Sequence, residues 1–243
     1  MGFVVPRVHS PIPADQIEAR LSCYPEGKVR DYWRDVLPWL PQPVQECSCG
    51  EQKKLGRWKQ HCAEGSGLSD EQLRKWTFAT WIAQANPGCD TARQFAEQFA
   101  AGLLETPWLY LYGGVGLGKS HLLIAVTGAL VEAGREVRHW SAPELYYQML
   151  VWVKEDQYAE GVQALKQAAV LVLDDLGAER QTDFARDLMH SILDFRYQNG
   201  SPTCVASNLE PSGFPPRLAS RLLDLSVVTI LPMDGVDMRQ VER

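Results

Sequence analysis

The sequence contains no apolar run of about 18 residues, the length that a membrane-spanning helix needs. Its amino terminus also has no long apolar core and no small-residue cleavage site, so it is unlike a secretory signal. We therefore expect a cytoplasmic protein with no membrane partner. Basic residues are in the minority, with 24 Lys and Arg against 30 Asp and Glu. Any contact with nucleic acid has to come from a local basic patch.

Cysteine is sparse and unevenly placed in this chain of 243 residues. Four of the six cysteines, Cys23, Cys47, Cys49 and Cys62, lie in the first 62 residues. This is a poor disulfide framework for a chain of this size and favours a reducing compartment. The same four thiols, with His61 nearby, are a candidate zinc site, although their spacing departs from that of common zinc sites. Free thiols are the alternative.

Composition changes near residue 65 and predicts two units, a small N-terminal module (1–65) and a larger domain (66–243). Proline and tryptophan are dense in the first unit, where short helices are expected at 14–21 and 28–37. The stretch 63–68 is typical of a linker. Five of the eight tryptophans precede residue 82, which favours a compact module that contacts another protein.

The second unit alternates apolar strand patterns with helical patterns, which predicts an α/β fold. Strands are expected at 108–112, 136–140, 169–173, 202–207 and 227–231. Helices are expected at 120–133, 141–153, 157–167, 184–197 and 216–223, the second of them opening with a capping box at Ser141–Glu144. Strands separated by helices of this length imply a parallel sheet that is covered on both faces.

A glycine-rich loop follows the first expected strand and matches the pattern G-x-x-x-x-G-K-[ST]. Glycines let successive backbone N–H groups point at a phosphate, lysine supplies a charge for the β- and γ-phosphates, and the serine hydroxyl can coordinate Mg²⁺. A chance glycine-rich loop is the alternative, but the flanking strand and helix are those that the mechanism requires. The predicted nucleotide-binding residues are Gly113, Gly114, Val115, Gly116, Leu117, Gly118, Lys119, Ser120 and His121.

Polar residues that suit the rest of a nucleotide site follow later strands. Asp174 and Asp175 end an apolar strand, where they can serve Mg²⁺ and the attacking water. Asn208 ends the next strand; it can reach the γ-phosphate or simply begin a turn. Arg217 and Arg221 share one helix face and can stabilise a transferring phosphoryl group, or they can be ordinary solvated arginines.

This order of motifs resembles an AAA+ ATPase, with a Walker A loop, a Walker B strand, a sensor 1 residue and an arginine finger. The stretches Leu173–Glu179, Phe195–Tyr197, Ser207–Leu209 and Arg217–Leu222 resemble the DnaC/DnaI-type helicase loaders more closely, and residues 66–78 look like the start of that family's ATPase domain. The likeness covers about residues 66–243. It implies a five-stranded parallel sheet between helices, and a lidless domain because few residues follow Arg221.

The resemblance also implies roles for individual residues. Lys119 and Ser120 would bind phosphate and Mg²⁺, Asp174 would hold Mg²⁺, and Asp175 would support hydrolysis. Asn208 would be sensor 1, and Arg221 would be the arginine finger offered to a second copy of the chain. The superfamily commonly has Glu where this chain has Asp175, which is one methylene shorter. Slow hydrolysis of ATP is therefore expected.

Two surfaces are candidates for contacts with nucleic acid, and each keeps a structural alternative. Lys53, Lys54, Arg57, Trp58 and Lys59 form a basic, aromatic cluster that suits nucleic acid or a solvated helix face. Tyr146, Tyr147, Trp152 and Lys154 lie where related initiator-type ATPases meet single-stranded DNA, but core packing explains aromatic residues equally well.

Three functions follow from these patterns. The first is an ATP-switched loader of a replicative DNA helicase, which would bind the helicase through its N-terminal module and act on single-stranded DNA. The second is a transposition helper that resembles IstB and binds duplex DNA. The third is an adaptor that binds nucleotide without hydrolysing it.

Overall fold

The computed structural model describes residues 49–82, 87–179 and 182–237. Within them lies a sheet of five strands: β1 (Trp108–Gly113), β2 (Val137–Ser141), β3 (Val170–Asp174), β4 (Thr203–Ser207) and β5 (Val228–Met233). The strand order is β2-β3-β4-β1-β5, and every pairing is parallel. In register, Tyr112 at the end of β1 lies beside Ser207 at the end of β4. The loops that follow these two strands therefore meet at one edge of the sheet.

Helices cover both faces of this sheet. They are α1 (Cys49–Ser66), α2 (Asp70–Lys75), α3 (Pro87–Ala101), α4 (Lys119–Glu132), α5 (Ala142–Lys154), α6 (Tyr158–Gln167), α7 (Asp183–Gln198) and α8 (Pro216–Leu222). Short 3-10 helices span Phe78–Thr80 and Pro211–Gly213. The core on one face includes residues of α3 and α4, and the core on the other includes residues of α5, α6, α7 and α8.

The apolar runs in the sequence become the central strands. Every residue of β3 and of β4 is buried, as are the first four residues of β1. Because a strand between two helical layers loses water on both sides, its residues are apolar throughout rather than alternating. The α/β class, the five parallel strands and their position between helices are confirmed, and each expected strand or helix of the second unit lies within two residues of its predicted bounds.

Helix starts follow the local chemistry of the chain. Ser141 caps α5 by accepting a hydrogen bond from the backbone N–H of Glu144, as its sequence predicts. The Ser141 hydroxyl also donates to the Glu144 carboxylate at 2.7 Å, in place of the backbone contact that completes a capping box. Thr182 caps α7 in the same manner, through the backbone N–H of Ala185.

The predicted linker at residues 63–68 is wrong, because residues 63–66 form the last turn of α1. Helix α1 packs on the larger domain: Trp58 donates its indole N–H to the Gly134 carbonyl at 2.8 Å, and Lys59 pairs with Glu132 at 2.9 Å. Arg138 on β2 also donates to the carbonyl of Gly65 at 2.9 Å. The boundary at residue 65 thus falls inside a packed helix. Residues 1–48, with the helices expected there, lie outside the described residues.

No helix in the described ranges combines the length and apolar character that crossing a membrane requires.

Candidate nucleotide site

The phosphate-binding loop connects the last residue of β1, Gly113, to Gly118, the N-cap of α4. Gly118 has a φ of 87°, and a Cβ there would lie 2.6 Å from the ring of Trp81. Gly116 has a φ of 74°, and a Cβ there would lie 1.7 Å from a carboxylate oxygen of Asp237. Only glycine fits both the backbone and the space at these positions. The loop consequently runs close to its neighbours and opens onto the positive end of α4.

Lys119 lies at the centre of the site and is 6% exposed. Its ammonium group donates to the carbonyls of Gly113 at 2.9 Å and Gly114 at 2.6 Å, and to the side-chain oxygen of Asn208 at 2.9 Å. Asn208 follows β4 directly, and the parallel pairing of β4 with β1 brings it to the loop. The lysine of the loop and the predicted sensor residue are therefore in contact. All three acceptors are neutral oxygens.

Ser120 and Asp174 bring two oxygen ligands together. The Ser120 hydroxyl lies beside the Asp174 carboxylate at the end of β3. Burial raises the pKa of Asp174 above its ordinary value, Asp175 adds to the rise, and the Ser120 hydroxyl opposes it. Hydroxyl and carboxylate oxygens are ligands that Mg²⁺ accepts, usually one or two from the protein with the rest from water and phosphate. Ser120 and Asp174 fit such an ion.

Asp175 adopts a left-handed backbone conformation with a φ of 52°. Asp and Asn tolerate this region better than most other residues with side chains. Its backbone N–H donates to the Asp174 carboxylate at 2.9 Å, and Asp175 lines the cavity beside the loop. The two neighbouring aspartates thus have different surroundings, with Asp174 beside Ser120 and Asp175 at the cavity.

A cavity of about 710 Å³ lies against the loop, within the size range of small-molecule sites. Seven of the nine predicted nucleotide-binding residues line it, and the other two, Gly113 and Gly114, accept hydrogen bonds from Lys119. The lining residues are Lys75, Trp76, Thr80, Trp81, Ile82, Val115, Gly116, Leu117, Gly118, Lys119, Ser120, His121, Ile124, Asp175 and Asn208. The predicted residues of the loop, Asp175 and Asn208 are therefore gathered at one site.

Residues 75–82, which we call the aromatic strap, contribute five of the residues that line the cavity. His121 connects the strap to the loop, since its Nε2 lies 2.8 Å from the carbonyl of Thr77 and its ring contacts Trp76 and Trp81 edge-on. A carbonyl only accepts, so Nε2 carries the hydrogen of this bond. Burial lowers the pKa of His121 below its ordinary value, and the bond to Thr77 opposes that change. The strap supplies a wall of aromatic and apolar side chains beside the polar loop.

The two predicted arginines lie elsewhere. Neither Arg217 nor Arg221 is among the described residues that line the nucleotide cavity. Both pair with the buried carboxylate of Asp194 on α7, and the guanidinium of Arg221 lies over the ring of Tyr197, 4.9 Å from its centroid. The Tyr197 hydroxyl donates to Asp224. We call these five residues the arginine cluster.

Comparisons with known proteins agree with this geometry. A family described as IstB-like ATP binding protein matches residues 103–216. These residues are similar to that family, and the sheet that they help to form has the fold of AAA+ P-loop domains. The phosphate-binding loop, the Asp174–Asp175 pair and Asn208 all lie within the matched residues, whereas the strap precedes them and Arg217 and Arg221 follow them.

Two curated proteins and one solved structure are similar to this chain. The replicative helicase loader DnaI of Bacillus subtilis is 33% identical over 104 residues, 42% of this chain and 33% of that protein. The chromosomal replication initiator protein DnaA of Rhodopseudomonas palustris is 33% identical over 272 aligned positions, 96% of this chain and 55% of that protein. A crystal structure of DnaI is 26% identical, with a TM-score of 0.57, and covers 71% of this chain and 95% of that one. The chain spans about half or less of the length of the two curated relatives.

The candidate zinc ligands are not gathered in the part of the chain that the structure describes. Cys23 and Cys47 lie outside it, and for Cys49 only the backbone is described. Cys62 is 2% exposed, packs among apolar residues, and has a thiol pKa that burial raises to about 11. Zinc binds thiolate. The described residues contain no group of three or more metal-ligating side chains, so the zinc site stays a prediction.

In each of the two candidate surfaces for nucleic acid, some side chains pack against the core and others are exposed to solvent. In the basic cluster, Trp58 is half-buried against the core and Lys59 is paired with Glu132, which leaves Arg57 exposed; the side chains of Lys53 and Lys54 are not described. On α5, Tyr146 and Trp152 pack inward, whereas Tyr147 is 60% exposed. Lys154 at the end of α5 is exposed as well. Core packing therefore explains Trp58 in the first group, and Tyr146 and Trp152 in the second.

Sequence reasoning did not identify the aromatic strap as a wall of the site, nor the residues that hold the arginines. The strap carries two tryptophans in six residues, but no spacing rule connects them with the loop until the fold is known. The stretch Phe195–Tyr197 resembles the helicase loaders, but the resemblance does not indicate a function for Tyr197. Asp194, one residue earlier, has no signal beyond its place on an amphipathic helix.

Proposed function

We propose that this protein is an ATP-dependent loader of a replicative DNA helicase, in which ATP acts as a switch. The observation that carries the proposal is the contact of Lys119 with Asn208 beside the Ser120–Asp174 pair, since it joins the phosphate-binding loop to residues suited to sensing and hydrolysis. The likeness to DnaI, a replicative helicase loader, along 95% of a solved DnaI chain supports the choice among functions of this domain class.

In this proposal each part of the cavity has one task. The loop and Lys119 bind the phosphates of ATP, and Ser120 and Asp174 hold Mg²⁺, which would neutralise phosphate charge. Asp175 and Asn208, which line the cavity next to the loop, orient the attacking water. Asp175 is one methylene shorter than glutamate, so turnover is slow. The aromatic strap offers Trp76 and Trp81 as an apolar wall for the base.

A second copy of the chain completes the site in this proposal. Arg221 belongs to the arginine cluster and not to the lining of the chain's own cavity. Arginine stabilises charge that develops on a transferring phosphoryl group, and it often does so from a neighbouring molecule. ATP binding then joins copies of the chain, and hydrolysis releases them.

Helicase and single-stranded DNA are the proposed partners beyond ATP. We assign the binding of the helicase to residues 1–48, where the first tryptophans and many of the prolines lie in the sequence. Tyr147 and Lys154, both exposed on α5, are the described residues best suited to contact single-stranded DNA by stacking and charge.

An IstB-type transposition helper is a second candidate, because the family that matches residues 103–216 is described as IstB-like. Such a helper would use the same ATP site but would bind duplex DNA and a transposase. The sequence before residue 65 differs from the helical start of that family, which favours the loader.

Co-elution with the replicative helicase of the same host, in ATP and Mg²⁺, tests the two candidates. The comparison chain begins at residue 49, because a cut at residue 65 would remove Trp58 and the buried Cys62 from the core. The loader reading predicts co-elution with the full chain that is lost with the shorter chain, while thermal melting of the shorter chain stays cooperative. Binding to duplex DNA without co-elution of helicase would favour the transposition helper.

A further inference from the structure

Asp194 is a buried carboxylate, 9% exposed, that lies outside the nucleotide cavity and contacts two guanidinium groups. One oxygen accepts from Nε of Arg221 at 3.2 Å, and the other accepts from Nη2 of Arg217. A buried charge is costly unless it is paired. The two arginines provide that pairing, and in return Asp194 fixes where they lie.

Arg221 is held from two directions. Asp194 binds its Nε edge, and the ring of Tyr197 lies beneath its plane at 4.9 Å from the centroid. The Tyr197 ring is itself fixed, because its hydroxyl donates to Asp224 and the ring forms a T-shaped pair with Trp108, with 6.4 Å between the ring centroids. Since the contact with Asp194 engages Nε, the Nη1–Nη2 edge, which makes forked contacts with phosphate oxygens, points away from that carboxylate.

Arg217 shares the same carboxylate but is held differently. It donates to Asp194 through Nη2, so one of the two Nη groups that could bind a phosphate is already engaged. Its side chain is 66% exposed, against 32% for Arg221. Of the two arginines, Arg221 is the more constrained and the one whose forked edge remains on the side away from Asp194.

We propose that Asp194 is a positioning residue for ATP hydrolysis, holding Arg221 over Tyr197 so that its two Nη groups meet the phosphates bound by a second copy of this chain. This inference rests on the proposed function, because it requires Arg221 to act on a neighbour's nucleotide. An arginine side chain loses considerable rotamer freedom when it is ordered. Asp194 and Tyr197 impose that order before the copies meet, so less is lost on reaching the transition state.

A double-mutant cycle on the full chain tests the inference, with Asp194→Asn, Arg221→Gln and the double variant compared for kcat and KM of ATP hydrolysis. We expect Asp194→Asn to lower kcat about 10-fold or more and to change KM for ATP less than about 2-fold, because the arginine acts in the transition state. The double variant should be no slower than Arg221→Gln alone, since Asp194 acts through Arg221. Losses that multiply in the double variant would overturn the inference.

Tyr197→Leu provides a second route that keeps the Asp194 pairing and removes the aromatic face. It should also lower kcat for ATP hydrolysis and again add nothing to Arg221→Gln. Wild-type kcat in Asp194→Asn alone is enough to overturn the inference. Arg217→Gln is the matched control and should lower kcat less than Arg221→Gln. Full activity of Arg221→Gln would instead contradict the proposed function itself, which separates the two failures.

Discussion

The nucleotide cavity and the arginine cluster are each built around one buried aspartate, and the two aspartates differ in their neighbours. Asp174 is 8% exposed and contacts a hydroxyl and a backbone N–H, with a second carboxylate next in the chain. Asp194 is 9% exposed and contacts two guanidinium groups. The degree of burial is the same. Asp194 pairs with two cations, whereas the charges near Asp174 are of both signs, the carboxylate of Asp175 and the ammonium group of Lys119.

This difference assigns different work to the two carboxylates. Around Asp174, burial and Asp175 disfavour the ionised form, so a divalent cation bound there would relieve an unfavourable charge. Around Asp194, the cations are already part of the chain, so the carboxylate holds two arginines in place. Equal burial of two aspartates therefore does not imply equal function; the partners decide it.

The largest effect is expected from Lys119→Ala at the cavity. Removal of the ammonium group takes away the cation beside the loop and the partner of Asn208. Loss of one such group from a site typically costs about 100- to 1000-fold in kcat, and we expect a loss of that size in ATP hydrolysis. Lys154→Ala, an exposed lysine on α5, is the matched control and should keep full turnover. Steady-state hydrolysis measures both, and equal activity of the two variants would contradict the cavity assignment.

Arg196→Met should have the next largest effect, on stability. Arg196 lies between Asp194 and Tyr197 in the sequence of α7 and is fully buried. Its side chain contacts residues at the N-terminal ends of β3 and β4. It donates to Thr203 and to the carbonyls of Leu165, Lys166, Ala168 and Pro202. Its loss takes the side-chain donor away from the carbonyls of Leu165, Lys166 and Ala168, which should lower the free energy of unfolding by about 3 kcal/mol. Chemical denaturation measures this; a change below about 1 kcal/mol would mean that α7 does not depend on this anchor.

Asp174→Asn and Asp194→Asn should change stability in opposite directions. The pKa of Asp174 is higher in the folded protein than the 3.8 of an ordinary aspartate, which stands for the unfolded chain. Such a group makes the protein less stable as the pH rises from 3.8 through the pKa of the folded state. Near neutral pH, Asp174→Asn without nucleotide should therefore raise the melting temperature while abolishing hydrolysis. Asp194→Asn removes the carboxylate charge that Arg217 and Arg221 share and should lower the melting temperature. Each shift should correspond to about 1 kcal/mol. Melting curves test this comparison, and shifts of the same sign would refute it.

Tyr197→Phe should have the smallest effect. It removes the hydroxyl that donates to Asp224 and keeps the ring under Arg221. Because a hydrogen bond near the surface contributes little net free energy, we expect kcat for ATP hydrolysis to fall less than about 3-fold. A loss as large as that of Arg221→Gln would assign the role to the hydroxyl and not to the ring face.

Much of the fold and half of the site could be predicted from the sequence. The central strands are uniformly apolar because both faces are buried, and the loop between β1 and α4 needs glycine for reasons that a motif encodes. The strap could not be predicted, because Trp81 meets Gly118 only through tertiary packing. The linker was misjudged because Gly65 and Ser66 look like a break, although the Ser66 hydroxyl donates to the Ala63 carbonyl and closes the last turn of α1. Asp194 could not be distinguished from a surface carboxylate without knowing where α8 packs.

The central claim is that the cavity and the arginine cluster are two halves of one site, supplied by different copies of the chain. The most direct test mixes equal amounts of Lys119→Ala and Arg221→Ala, each inactive alone, and measures ATP hydrolysis. In random head-to-tail mixing, half of the nucleotide sites belong to copies that keep Lys119, and half of those sites adjoin a copy that keeps Arg221. The mixture should therefore regain roughly a quarter of the wild-type rate of ATP hydrolysis. A mixture that stays inactive, at a concentration where the copies associate and wild type hydrolyses ATP, would contradict the claim.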